Sequence, residues 1–139
     1  MPDPKKINQE DATAISRAAV QVMWTVDAAI DTGQLDAFKR AEPYLTPVYT
    51  AQLRTEAPGD LPASWRAHRA YAKVRLTRQP PESGVGPDSP ILAHRQWLIV
   101  VTPTGRDGWT GPQVHAIAFV TLTRAAARGA WRVSTVTTA

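Results

Sequence analysis

Three histidines, His68, His94 and His115, are the only imidazoles in a chain of 139 residues that contains no cysteine. Imidazole can ligate a metal or carry a proton near neutral pH. A metal site needs ligands at characteristic short spacing, and no histidine or carboxylate here stands at one, so neither a metal nor a cofactor is expected. The absence of cysteine excludes disulfides, thiolate nucleophiles and zinc–thiolate centres, and is compatible with any redox compartment. No Gly-x-Ser-x-Gly elbow offers an activated serine. Gly84-Val85-Gly86 leads into proline rather than into a helix, and Gly105-Arg-Asp-Gly108 reads as a hairpin turn, so neither cradles a phosphate.

A second constellation is basic and aromatic. Arg69, Tyr71, Lys73 and Arg75 alternate along one predicted strand, with Arg95 and Trp97 expected beside them on the next. Cations interleaved with aromatic rings can hold a single strand of nucleic acid by phosphate contact and stacking. The same pattern describes any solvated strand whose long basic side chains blunt a sheet edge. The second reading carries more weight, and the six residues are expected to form an interaction surface rather than a nucleic-acid site.

These residues must be positioned by a sheet. The last third of the chain reads as three strands, Ala93–Thr102, Pro112–Arg124 and Ala130–Thr138, separated by Pro103–Gly108 and Ala127–Gly129. Val, Ile, Thr, Phe and Trp are enriched in the runs, and turn residues bound them. Arg66–Arg78 is predicted as a strand before these, with His68, Ala70, Ala72, Val74 and Leu76 on an apolar face. Gln79–Pro90 holds four prolines and two glycines and reads as a loop. The runs Trp97–Val101 and Val114–Leu122 mark central strands covered in part on both faces.

The cover comes from the first sixty residues. After a mobile lead-in over residues 1–8, Asn8 offers an N-cap, and Ile15, Ala18, Ala19, Val22, Met23, Val26 and Ile30 recur at helical spacing. They predict one long helix ending at Asp31-Thr-Gly33, with Gly33 in the left-handed C-terminal position. A second helix follows over Gln34–Ala41. A third, Pro47–Ala57, starts at a Thr46-Pro47 cap and buries Val48, Ala51, Leu53 and Tyr49. The expected fold is therefore α+β: three N-terminal helices packed on a curved four-stranded antiparallel sheet, a cone, in one domain spanning residues 9–139.

Composition agrees with one soluble-type globular domain: 43% of residues are apolar, and no run of 18 apolar residues is present. The formal charge of +4 is uneven. Residues 1–60 hold nine acids against six bases, whereas residues 61–139 hold three acids against ten bases, so the sheet half is the basic half.

This order of elements, with Asp27-Ala-Ala-Ile-Asp31-Thr-Gly33-Gln-Leu-Asp36 at the exit of the first helix, resembles the cystatin-like fold of the nuclear transport factor 2 superfamily. Tyr44-Leu45-Thr46-Pro47 and the closing Trp131-Arg-Val133 resemble, more narrowly, the extracytoplasmic domains of conjugation and type IV secretion scaffold proteins. Those include the Gram-positive transfer proteins and the Mce-associated membrane proteins of actinobacteria. The resemblance implies a non-enzymatic assembly domain that forms homo-oligomers and contacts other secretion or transfer proteins. It implies a membrane helix ahead of the first helix and a place on the extracytoplasmic face of the cell membrane; with Met1 as the native start the expectation is cytoplasmic.

The superfamily it resembles also includes ketosteroid isomerase-like enzymes and polyketide cyclases, in which an Asp, a Tyr or a His points into the cone. On that alternative the candidates for general acid–base work are Asp27, Tyr44, His68 and His115, which need burial to move a pKa and a donor for the developing oxyanion. Asp27 lies beside the apolar stripe and is expected to face solvent. The competing expectation is a cone filled by Trp24, Trp97, Phe119 and Trp131, with no catalytic constellation.

Overall fold

Asp11, not Asn8, begins the first helix: its carboxylate accepts the Ala14 N–H at 3.1 Å, and α1 runs from Ala12 to Trp24. The structure, a computed structural model, describes residues 1–56, 59–82 and 84–139. Ile15, Ala19, Val22 and Met23 form the buried stripe of α1, as their spacing requires. The helix is 13 residues long and does not reach Asp31. It stops because Thr25 turns its hydroxyl back onto the Gln21 carbonyl at 2.5 Å, and the next residues pair with a strand instead. Ala28 N–H bonds to Ala70 O and Ala72 N–H to Val26 O, each at 2.8 Å. Val26 therefore packs with Ala37 and Leu61, and Ile30, expected on the buried stripe, is 73% exposed.

Gly33 is extended (φ −171°) and stands at the N-cap of α2, Gln34–Arg40, rather than in a left-handed C-terminal position. What requires glycine there is proximity: a Cβ would lie 2.0 Å from the Gly59 carbonyl oxygen. After a 3₁₀ turn over Glu42–Tyr44, Thr46 accepts the Tyr49 N–H at 3.1 Å and starts α3, Pro47–Arg54, at the expected cap. Tyr49 and Leu53 are buried as expected, but Ala51 is exposed and Val48 is 79% exposed. The expected end of this helix at Ala57 lies outside the described residues.

The sheet half departs from expectation at its start. Residues 63–68 form a further helix, α4 (Ala63–His68), closed by Arg69 in the left-handed conformation (φ 46°) with Ala70 N–H bonded to Trp65 O at 2.8 Å. The alternation read through Arg66–Ala70 was a short-range coincidence; it becomes real only in β1, Tyr71–Gln79. His68 and Arg69 thus leave the strand. β2 (Leu92–Thr104), β3 (Val114–Thr123) and β4 (Arg132–Thr138) complete an antiparallel sheet in the order β1-β2-β3-β4, with a register shift at Thr121/Leu122. Among the described residues, four α-helices and this sheet make an α+β fold.

α1 lies against all four strands. Trp97, Ile99, Val101, Ala118, Val120, Leu122 and Val133 face it, with Tyr44, Leu45, Tyr49 and Trp131 closing the core. Trp24 packs half-buried against Phe38. Phe119 does not join them: it pairs with Gln96 and Thr137 in register and points from the opposite face. The segment expected as a mobile lead-in forms a 3₁₀ turn over Pro4–Lys6, and Ile7 packs on the core. Gln9 fastens it, its carbonyl accepting the Trp131 N–H at 2.8 Å and its side-chain oxygen accepting from Arg132 at 2.6 Å.

Candidate functional site

The fold gathers Asp27, His68, Arg69 and Tyr71 at one rim, where α4 meets the hairpin joining β2 and β3. Arg106 from that hairpin donates to both Asp27 carboxylate oxygens (2.8 and 2.7 Å) and to Arg69 O (2.5 Å), and lies 5.2 Å from the centre of the Tyr71 ring. The next residue, Asp107, meets His68 Nδ1 at 2.6 Å, and the indole of Trp109 stacks on the imidazole with centres 4.5 Å apart and planes 5° from parallel. The Arg106 N–H also bonds His68 O at 3.1 Å. Gly105 fits because little room remains between Trp109 and His68: a Cβ there would meet their Cβ atoms at 2.9 and 3.1 Å.

The electrostatics of the rim favour fastening over proton transfer. The Arg106 guanidinium bonded to Asp27, helped by the Ala29 N–H, holds that carboxyl below the usual aspartate range despite partial burial. A carboxylate so paired is a weak base. The His68 hydrogen bond likewise lowers Asp107. A His–Asp pair is half of a general-base device, but it also needs a substrate proton near the free ring nitrogen and a donor for the developing charge. Neither His68 nor Asp107 lines the groove at the helix–sheet mouth, whose walls are Trp24, Val26, Leu61, Trp65, Val101 and Val114.

The other candidates lie apart. Tyr44, at 1% exposure, is sealed in the core with its hydroxyl unpartnered among the described residues, and burial raises its pKa. His115 is exposed on the outer face of β3, opposite Val100 in register, so it does not enter the interior. The structure therefore brings Asp27 and His68 to one rim and leaves Tyr44 and His115 elsewhere; the four do not form one acid–base site.

The expected basic–aromatic surface divides as well. Lys73 and Arg75 are exposed on the outer face of β1, and Tyr71 precedes them under Arg106. Trp97, 4% exposed, faces inward and donates its indole N–H to Ser16 Oγ at 2.9 Å. Arg95 shares its face: it donates to Thr13 Oγ1 at 2.8 Å and grips both Asp88 oxygens at 2.8 and 2.7 Å. Both residues, expected on that surface, turn inward because strand phase is set by the register with β1, Arg78 standing opposite Trp97, and Trp97 instead meets the competing expectation that it fills the interior.

Sequence reasoning misses Arg106 and Asp107, which it reads only as turn residues, and Trp109, which falls between the expected turn and the next strand. The pair of buried Asp31 with half-buried Arg40 is missed too, since its partners lie across a turn that the long-helix reading erases. A signal was present in the turn itself: an Arg-Asp pair followed by Trp is more chemistry than a two-strand connection needs.

No protein-family model, curated protein or solved structure matches this chain. Among the described residues no group of three or more metal-ligating side chains is found, and no helix is long and apolar enough to cross a membrane.

Proposed function

We propose that this chain is a non-enzymatic assembly domain that acts through protein–protein contacts, of the kind that serves as scaffold in a conjugative or type IV secretion-type transfer apparatus at the cell envelope. One observation carries the reading: the unequal use of the two sheet faces. The helix-covered face closes on Trp97, Ile99, Leu122 and Val133, and the buried Trp97 indole N–H is satisfied internally by Ser16. The other face leaves Leu98, Ile117 and Phe119 half-buried and outside that core. Apolar side chains held on a rigid sheet suit a partner surface. The order of helices before a four-stranded meander, together with the resemblance of the Tyr44–Pro47 and Trp131–Val133 segments, supports the placement among transfer scaffolds.

Light scattering over a concentration series tests it. Self-association should raise the mass above the 15.2 kDa of one chain, and Phe119→Ser should return it toward that value. A strict monomer at high concentration counts against the reading.

The groove at the helix–sheet mouth favours a second reading, a ligand-binding domain related to ketosteroid isomerase-like proteins. It encloses about 290 Å³ between Trp24, Trp65, Leu61 and Val114, with Asp60 at its edge. None of Asp27, Tyr44, His68 and His115 lines it. On this reading the domain binds rather than catalyses, and thermal stabilisation by small apolar ligands, absent in Trp65→Ala, is the test.

A further inference from the structure

We infer that the free edge of β1 takes up an extended, acidic peptide segment as a fifth strand of the sheet. Pairing with β2 fixes which backbone groups of β1 point outward. Ala72 stands opposite Pro103, which has no N–H, so that pair cannot exchange two hydrogen bonds. The even-numbered residues of β1 therefore turn their N–H and C=O groups away from β2. Ala72 confirms the phase, since its N–H bonds outward to Val26 O at 2.8 Å.

The two edges of the sheet are treated differently. On β4 the Thr46 N–H takes Val133 O at 2.9 Å, and the Tyr49 hydroxyl accepts the Val136 N–H at 3.2 Å. That edge is blunted by side chain and loop. On β1 the segment Val26–Ala28 covers the edge only as far as Ala72. Beyond it the outward groups of Val74, Leu76 and Arg78 have no backbone partner among the described residues. Those three residues offer an open ladder of roughly 13 Å, the length of about five residues of extended chain.

Charge selects the occupant. Lys73 and Arg75 project from the outer face of this strand and Arg78 from the inner, all three exposed, and residues 61–79 contain no acid. Val74 and Leu76 on the inner side are half-buried against the core. A second copy of β1 would set Lys73 and Arg75 against their own kind, and like charges across a strand pair are destabilising. Nucleic acid would want exposed rings to stack on, and Trp97 is buried. A strand alternating carboxylates with apolar residues meets all the conditions: backbone bonds to Val74, Leu76 and Arg78, carboxylates beside Lys73 and Arg75, and apolar side chains beside Val74 and Leu76. This deepens the assembly reading by naming the chemistry of a partner, yet it does not depend on self-association.

The test uses the full chain and three ten-residue capped peptides: alternating Val-Glu, alternating Val-Lys, and Val-Glu with every second amide N-methylated. Amide exchange read by NMR should show new protection at Val74, Leu76 and Arg78 with the Val-Glu peptide, and no change at Lys73, Arg75 and Thr77, whose amides already serve the ladder with β2. The Val-Lys and N-methylated peptides should bind at least tenfold more weakly, and Lys73→Glu with Arg75→Glu should reverse the preference between Glu and Lys. Because both side chains are exposed, a circular dichroism spectrum matching the parent verifies the fold of that variant. Equal affinity of the Glu and Lys peptides, protection elsewhere on the chain, or an oligothymidylate that binds this edge more tightly than any peptide would each overturn the inference. A chain that stays monomeric but gains protection on β1 loses the self-association reading and keeps this one.

Discussion

Arg106 and Asp27, 79 positions apart in sequence, are joined by two hydrogen bonds of 2.8 and 2.7 Å. The pair ties the hairpin between β2 and β3 to the turn that follows α1. It closes the rim where His68 stacks on Trp109 and pairs with Asp107, and leaves the Asp27 carboxylate ionised and occupied. A residue that sequence reasoning offers as a general base is here a fastening.

That pair makes stability depend on acid. The folded pKa of Asp27 lies below its ordinary 3.8, so its contribution is complete above that value and is lost as the pH falls through the folded pKa. Asp27→Asn should lower the melting temperature at neutral pH and show a shallower loss between about pH 4 and pH 2 than the parent. Parallel acid-induced slopes in the two proteins would refute this role.

Arg40 holds Asp31 through two bonds of 2.5 and 2.7 Å and also donates to Thr25 O at 2.9 Å, while the Asp31 side chain is only 2% exposed. Removing the cation alone strands a buried carboxylate. Arg40→Ala should therefore cost about 3 kcal/mol in urea denaturation, and adding Asp31→Ala should recover part of that loss.

Two buried tyrosines should respond oppositely to loss of their hydroxyls. Tyr44 has no partner for its oxygen among the described residues, so Tyr44→Phe removes an unsatisfied group and should leave stability unchanged or raised by up to about 1 kcal/mol. Tyr49 accepts the Val136 N–H on the edge of β4, so Tyr49→Phe should lose about 1 kcal/mol and speed exchange of that amide.

Gly33 offers a control for close approach without backbone strain. Its φ suits any residue, but a Cβ would strike the Gly59 carbonyl at 2.0 Å, so Gly33→Ala should cost about 1–3 kcal/mol. Gly59→Ala, where a Cβ meets nothing within 4 Å among the described residues, should be close to neutral in the same thermal melts.

Local chemistry made much of the fold legible. The Thr46-Pro47 cap, the buried stripe from Ile15 to Met23, and β2 to β4 within a few residues all follow from capping and periodicity, which act over one or two turns of chain. The long first helix failed for a matching reason. Val26 and Ile30 kept helical spacing, but Val26 and Ala28 bond to the backbone of Ala70 and Ala72, a competition no local pattern records. The strand expected from Arg66 failed likewise, where Ala70 N–H closes a helical turn onto Trp65 O.

Composition and local pattern make residues 61–79 basic without a single acid, exclude thiol chemistry, and leave an apolar meander in need of cover. Those are properties of composition and short-range order. Tertiary structure alone decided which way each side chain faces and whom it meets. Pairing register turned Trp97 and Arg95 inward, hairpin packing brought Arg106 and Asp107 to Asp27 and His68, and capping by Thr46 and Tyr49 blunted β4 while β1 stayed open. The physical reason is that facing and partnership depend on strand phase and on contacts across dozens of residues, and a shift of one residue in either reverses them.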